Sequence, residues 1–267
     1  MSDVKKVKHP VENVDLTFYP EEHVYMDDDG CRYTSGTTFV KEHFPEFDSS
    51  ATAKRVAARE NRLETEILSE WAHTAKEACD YGTLVHEYAE YRIHKIIGSA
   101  SLSEPASIPR AASEKEVIAF AAVDKAIPML QASYELWTPE SIIFDPVFNL
   151  AGTMDIPGMN PKTGALFVGD WKTNKKLENE SKYNQQGLKP IAHMSDCNLN
   201  HYALQLSLYA WMMVSTGYVP KETPVELAIL YLPPFSVDPV WQPLPYLKKE
   251  IDDMVANWNV YNARREE

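Results

Sequence analysis

The chain has 267 residues, 44% hydrophobic and 24% charged, with a formal net charge of -13, the composition of a globular protein large enough for one substantial core. No apolar run approaches the ~20 residues that cross a bilayer, and the opening MSDVKKVKHP lacks the apolar stretch of a secretory signal, so no membrane partner and a cytoplasmic location are expected. The acidic balance excludes broad attraction to nucleic acid, which needs Lys and Arg against phosphates, and any such ligand must follow a local basic path.

Val14 to Phe44 alternates Val, Tyr and Phe with polar residues, and Asp28-Asp29-Gly30 between Tyr25 and Tyr33 reads as a hairpin turn. Residues 1–48 are therefore expected to be a small β-hairpin appendage leading into a main domain over 49–267. Ser49 or Ser50 caps a helix expected to run to about Ala75, on which Arg55, Arg59 and Arg62 fall at i, i+4 and i+7 as one basic stripe. The stripe is a candidate substrate contact; Glu60, Glu64, Glu66 and Glu70 on the same helix favour a solvated face instead. A second helix begins near Tyr81 and stacks His86 on Glu90 one turn apart. Gly98 to Pro109 has a loop composition, and a third helix follows from Ser113, disturbed at Pro128.

Ser141 to Phe144, Leu150 to Ile156 and Ala165 to Trp171 are short, rich in Ile, Val, Leu and Phe, and bounded by Pro, Asn or Gly, which predicts a three-stranded antiparallel meander. The first turn centres between Val147 and Phe148, so hairpin symmetry sets Glu140 opposite Asp155. The second centres near Lys162 and Thr163 and sets Asp155 opposite Asp170. Lys172 lies two residues further on the same face. Adjacent carboxylates repel unless something compensates them, and a divalent cation with oxygen ligands is the natural compensation, so the pattern predicts a Mg2+ or Mn2+ site. Neighbouring carboxylates keep Lys172 protonated, which suits it to electrostatic stabilisation and water positioning.

Beyond the meander, residues 174–198 form a long polar stretch carrying Lys175, Lys176 and Lys182, either a lid contacting substrate or a solvated insertion. From His201, HYALQLSLYAWMM reads as a buried helix in which Gln205 and Tyr209 are polar exceptions sharing one face. Val225 to Leu232 is a core strand with a partner near Val237 to Trp241, and Leu247 to Tyr261 is the closing helix.

Glu140, Gly152-Thr153-Met154-Asp155, Asp170-Trp171-Lys172-Thr173 and Gln205 with Tyr209 occur in the order seen in the PD-(D/E)XK nuclease superfamily, and this chain resembles its RecB-like branch, phage exonucleases included. The likeness covers about Tyr33 to Leu232, and Met154 stands where the superfamily's name has proline. The resemblance implies an α/β fold with a restriction-endonuclease-like core, a central mixed β-sheet flanked by helices. It also implies a metal-dependent deoxyribonuclease, an exonuclease on single-stranded or end-processed DNA, with replication or recombination proteins as partners. In such sites His86, Glu140, Asp155, Asp170 and the Trp171 carbonyl hold one or two metal ions, His86 as a neutral imidazole. Asp155, Asp170, Lys172, Gln205 and Tyr209 serve catalysis, and Thr173 joins Arg55, Arg59, Arg62, Lys175, Lys176 and Lys182 in binding substrate. Some relatives carry a four-cysteine iron-sulfur cluster; Cys31, Cys79 and Cys197 are too few for one and read as free thiols. Two other readings are a nucleic-acid-binding module that keeps the fold without turnover, and a hydrolase of small phosphate compounds, which needs a closed pocket.

Overall fold

A computed structural model of the chain describes residues 4–98 and 108–263, and most of the loop expected over Gly98 to Pro109 lies outside them. Strands β1 (Lys5–Lys8), β2 (Asp15–Tyr19), β3 (Val24–Asp27) and β4 (Arg32–Ser35) pair in antiparallel succession. Tyr25 pairs with Tyr33 around the Asp28-Asp29-Gly30 turn, as the alternation requires. β4 then runs parallel to β7 (Leu150–Met154), which pairs antiparallel with β6 (Ser141–Asp145). The N-terminal strands and the first hairpin of the meander thus share one six-stranded sheet, packed over buried Leu16, Tyr25, Tyr33 and Phe144.

A second, five-stranded sheet joins β5 (Glu135–Leu136), β8 (Ile156–Met159), β9 (Leu166–Lys172), β10 (Val225–Tyr231) and β11 (Val240–Leu244) in the order β11-β10-β9-β8-β5, with β9 and β10 parallel. The class is mixed α/β, but the single central sheet expected from the sequence is corrected to two mixed sheets. The uninterrupted strand expected over Leu150 to Ile156 is broken at Asp155, where the chain passes from one sheet to the other. The cause is local: Asp155 Oδ2 accepts the Trp171 backbone N–H at 3.2 Å, so a side chain takes a donor that a ladder carbonyl would otherwise receive. Both hairpin registers nevertheless hold, with Ser141 opposite Met154 and Ile156 opposite Gly169.

The helices are α1 (Gly36–Lys41), α2 (Ser49–Glu60), α3 (Glu64–Ile97), α4 (Glu114–Ser133), α5 (Asn198–Ser215) and α6 (Lys248–Ala263). The expected break between Ala75 and Tyr81 is absent. The chain breaks earlier, at Asn61, which takes a left-handed φ of 51° and caps α2 through its N–H to the Ala57 carbonyl. Nothing between Glu64 and Tyr81 is Gly or Pro, so α3 continues for 34 residues, roughly 50 Å. Arg62 therefore lies past the end of α2, off the stripe of Arg55 and Arg59. α4 starts where Ser113 caps it and runs on through Pro128.

The five-stranded sheet is covered on both faces, and strand alternation decides which residue faces which layer. Leu166 and Val168 of β9, with Leu227 and Ile229 of β10, pack on Leu204, Leu208 and Met212 of α5. Phe167 and Trp171, with Ala228 and Leu230, pack on Val85 and Ala89 of α3 and on Val123 and Ile127 of α4. Burial of side chains this size contributes about 1.5–3 kcal/mol each, which fixes the pitch of β9 and points Asp170 and Lys172 toward α5. The stretch after β9 is anchored: Ile191 and Met194 are buried in the α5 core, and the Leu188 N–H donates to the His43 carbonyl. Among the described residues, no helix is long and apolar enough to cross a membrane.

Candidate metal centre

Asp155, at the passage between the sheets, lies under α3. Its Oδ2 is 3.1 Å from His86 Nδ1, while His86 Nε2 is 3.0 Å from the Trp171 carbonyl. Glu140 completes a cluster: one ligand atom each from His86, Glu140 and Asp155 lie within 4.8 Å of one another. Glu140 immediately precedes β6 and holds a left-handed φ of 51°. For a residue with a β-carbon this conformation costs about 1–2 kcal/mol, and strain of this kind gathers at functional sites.

Asp170 is almost fully buried, 5% exposed at the side chain, and its Oδ2 meets Lys172 Nζ at 2.5 Å. Its Oδ1 is buried without a hydrogen-bond partner. An orphaned carboxylate oxygen beside a cluster of hard oxygen ligands and one imidazole fits a divalent cation such as Mg2+ or Mn2+, since buried polar atoms otherwise demand partners.

The electrostatics follow from crowding. Burial, then repulsion from Asp155, pushes the Glu140 and Asp170 carboxyls above the usual range. Burial would also raise Asp155, but the His86 charge, hydrogen bonding with His86 and Asp170, and the Lys172 charge together outweigh it and hold this carboxyl below its ordinary value. Burial opposes charge on His86, yet Asp155 wins and raises the imidazole to about 9. Lys172 is raised too, Asp170 and Asp155 overcoming its burial. His86 thus bridges Asp155 and the Trp171 carbonyl through its two ring nitrogens, the two groups a cation would use.

Gln205 Nε2 donates to the Tyr209 hydroxyl at 3.0 Å, on the face of α5 that meets the sheets. Thr173 reaches α3, its Oγ1 lying 3.6 Å from where a β-carbon on Gly82 would sit. An open cleft of about 390 Å³ leads to the centre, lined by Gly82, Thr83, His86, Glu87, Glu90 and Glu140. The basic candidates lie outside this lining. Arg59 pairs with Glu60, Arg62 with Glu60, Glu66 and Glu70, and Lys182 with Glu178. Arg55 donates to Thr52 Oγ1. Lys175 and Lys176 are exposed and make no ion pair among the described residues.

The sequence reading missed Tyr202, whose ring lies under the Lys172 ammonium, 4.7 Å from centroid to Nζ. Its place three residues before Gln205 was the available signal, because that spacing puts both on one face of α5. No family model matches this chain, and no curated protein matches it.

Proposed function

We propose that this protein is a Mg2+- or Mn2+-dependent nuclease that hydrolyses phosphodiester bonds in DNA from a free end, as the likeness to PD-(D/E)XK nucleases implies. One observation carries the reading: His86, Glu140 and Asp155 bring ligand atoms within 4.8 Å of one another where the two sheets join, and Asp170, paired to Lys172, lies beside Asp155. His86, Glu140, Asp155 and Asp170 are the residues that would hold the cation, and a cation there supplies Lewis-acid polarisation of the phosphate and a more acidic water. Lys172 brings a fixed positive charge to the pentavalent phosphorus as charge develops on its oxygens. Gln205 and Tyr209 brace the same wall.

The cleft favours a polymer over a small phosphate compound, because exposed Thr83 and Glu87 leave it open along α3. The test is cleavage of end-labelled DNA by the purified protein with Mg2+ or Mn2+, beside Asp155→Asn and Asp170→Asn. The wild type should cleave and each variant should lose about 10²-fold or more while remaining folded. Full activity in Asp170→Asn would discard the mechanism, and an inert wild type would discard the nuclease reading.

A further inference from the structure

Asp170 alone does not hold Lys172. Its ammonium lies over the Tyr202 ring, and the Tyr202 hydroxyl donates to Asn174 Oδ1 at 2.7 Å. Tyr202, Gln205 and Tyr209 fall at i, i+3 and i+7 on α5, so one helical stripe faces the centre. Asn174 stands two residues beyond Lys172, so the segment that carries the lysine also carries the acceptor that orients the ring.

We propose that Tyr202 is a positioning residue for Lys172, its aromatic face holding the ammonium in place while Asp170 is engaged by a divalent cation. This rests on the metal-dependent reading above. In the structure, Lys172 Nζ draws on Asp170 Oδ2 while Oδ1 has no partner. A divalent cation taking Asp170 competes with the lysine for the same carboxylate, which weakens the ion pair. A lysine has a flexible four-carbon stem and no fixed geometry of its own, so a loosened ammonium would wander. The ring is neutral and does not compete with carboxylates for a hard cation, yet its quadrupole attracts an ammonium. That hold survives when Asp170 is drawn away. The bland alternative is that Tyr202 only fills space against the α5 core, which it also touches.

The experiment separates the two with readings that packing alone would not move. In metal-free protein carrying isotope-labelled lysine, the Lys172 side-chain resonances should lie upfield through the ring current of Tyr202. Tyr202→Phe should keep that shift and Tyr202→Leu should lose it. Assayed on DNA with Mg2+ or Mn2+, Tyr202→Leu should lower kcat about tenfold with KM unchanged, and Tyr202→Phe, which keeps the ring but lacks the hydroxyl bonded to Asn174, should recover part of the loss. Asn174→Ala releases the hydroxyl without entering the core and should give an intermediate kcat, which keeps the test decisive if Tyr202→Leu misfolds. A Lys172 shift that persists in Tyr202→Leu, or one kcat shared by the Leu and Phe variants, or an unchanged kcat in Asn174→Ala, would overturn the proposal. A wild type that shows the Tyr202-dependent shift but cleaves no phosphodiester supports the contact and overturns the nuclease reading alone.

Discussion

The Tyr209 ring lies across Gly152 so closely that a β-carbon on the glycine would overlap its Cε1 and Cζ atoms. Gly36 stands in a similar relation, its β-carbon position falling 2.5 Å from Tyr209 Cε1. The glycine three residues before Asp155 is therefore a spatial requirement of Tyr209, and α5 is keyed to β7 just where the chain enters the candidate metal centre. Gly152→Ala is expected to cost about 1–3 kcal/mol by overpacking, measured by denaturant unfolding. If the clash is the cause, Gly152→Ala with Tyr209→Leu should cost less than the sum of the two single changes. Strict additivity would discard it.

Glu140 yields a pH-dependent stability. Burial, then the Asp155 charge, raises its carboxyl above the ordinary value. A carboxyl raised in the folded state contributes stability that is full below the ordinary carboxylate range and is lost as pH rises through the raised value. Glu140→Gln removes that loss. Its unfolding free energy should match the wild type near pH 4.5 and exceed it by about 1 kcal/mol or more near pH 9, since each pKa unit is worth ~1.4 kcal/mol. A variant equally stable or less stable at the higher pH would count against the crowded centre. Under the proposed metal-dependent reading, cleavage should fall at the same time, because Glu140 is one of the candidate ligands.

His86 sets a second pH dependence, in cation binding. His86 occupies Asp155 and the Trp171 carbonyl through its two ring nitrogens, and a divalent cation taking the imidazole as a ligand must displace its proton. With the ring raised to about 9, Mn2+ affinity measured calorimetrically should climb between pH 6.5 and 8.5, approaching tenfold per unit for one proton released. His86→Ala should flatten that slope and weaken binding at pH 8.5. An unchanged affinity in the variant at both pH values would make His86 a structural residue only.

The legible parts of this site were those set by short-range geometry. Both hairpin registers followed from their turns, because Asn149 and Gly164 take the left-handed conformations that end those turns, at φ 51° and 70°. Asp170, Lys172 and the alternation of β9 followed from the same period-two pattern. The break at Asp155 was not legible, since it depends on one carboxylate capturing the Trp171 N–H from the neighbouring strand. Nor was the merging of the N-terminal strands with the first hairpin of the meander into one sheet, whose seam is the non-local parallel pairing of Thr34 and Ser35 with Leu150 and Ala151. The early end of α2 turned on Asn61 alone, a residue that enters the left-handed region more readily than most but gives a weaker signal than Gly.

On the proposed nuclease reading, the basic side chains fix where DNA would run. At a net charge of -13 the protein repels a polyanion at long range, so binding must rest on cations within about one Debye length of the phosphates, ~8 Å at physiological salt. Three of the six basic candidates are already paired with acids: Arg62 with three glutamates, Arg59 with Glu60, and Lys182 with Glu178 at 2.7 Å. Lys175 and Lys176 are different, being exposed, without an ion pair among the described residues, and only a few residues beyond Lys172. They are expected to carry the phosphate contacts, with Arg55 as a weaker second. In metal-free binding to a single-stranded oligonucleotide, Lys175→Glu with Lys176→Glu should weaken affinity and lower the slope of log affinity against log salt by about 1.4, at ~0.7 per phosphate contact. Arg62→Glu should leave affinity within about twofold and lower the melting temperature instead, because it sets a fourth acid among Glu60, Glu66 and Glu70. With Mg2+, linear single strands should be degraded and circles of equal length should resist, as a strand threaded from its end requires. Equal loss of circle and line would replace the exonuclease reading with an endonuclease, and an unchanged salt slope in the lysine double reversal would move the DNA path away from Lys175 and Lys176.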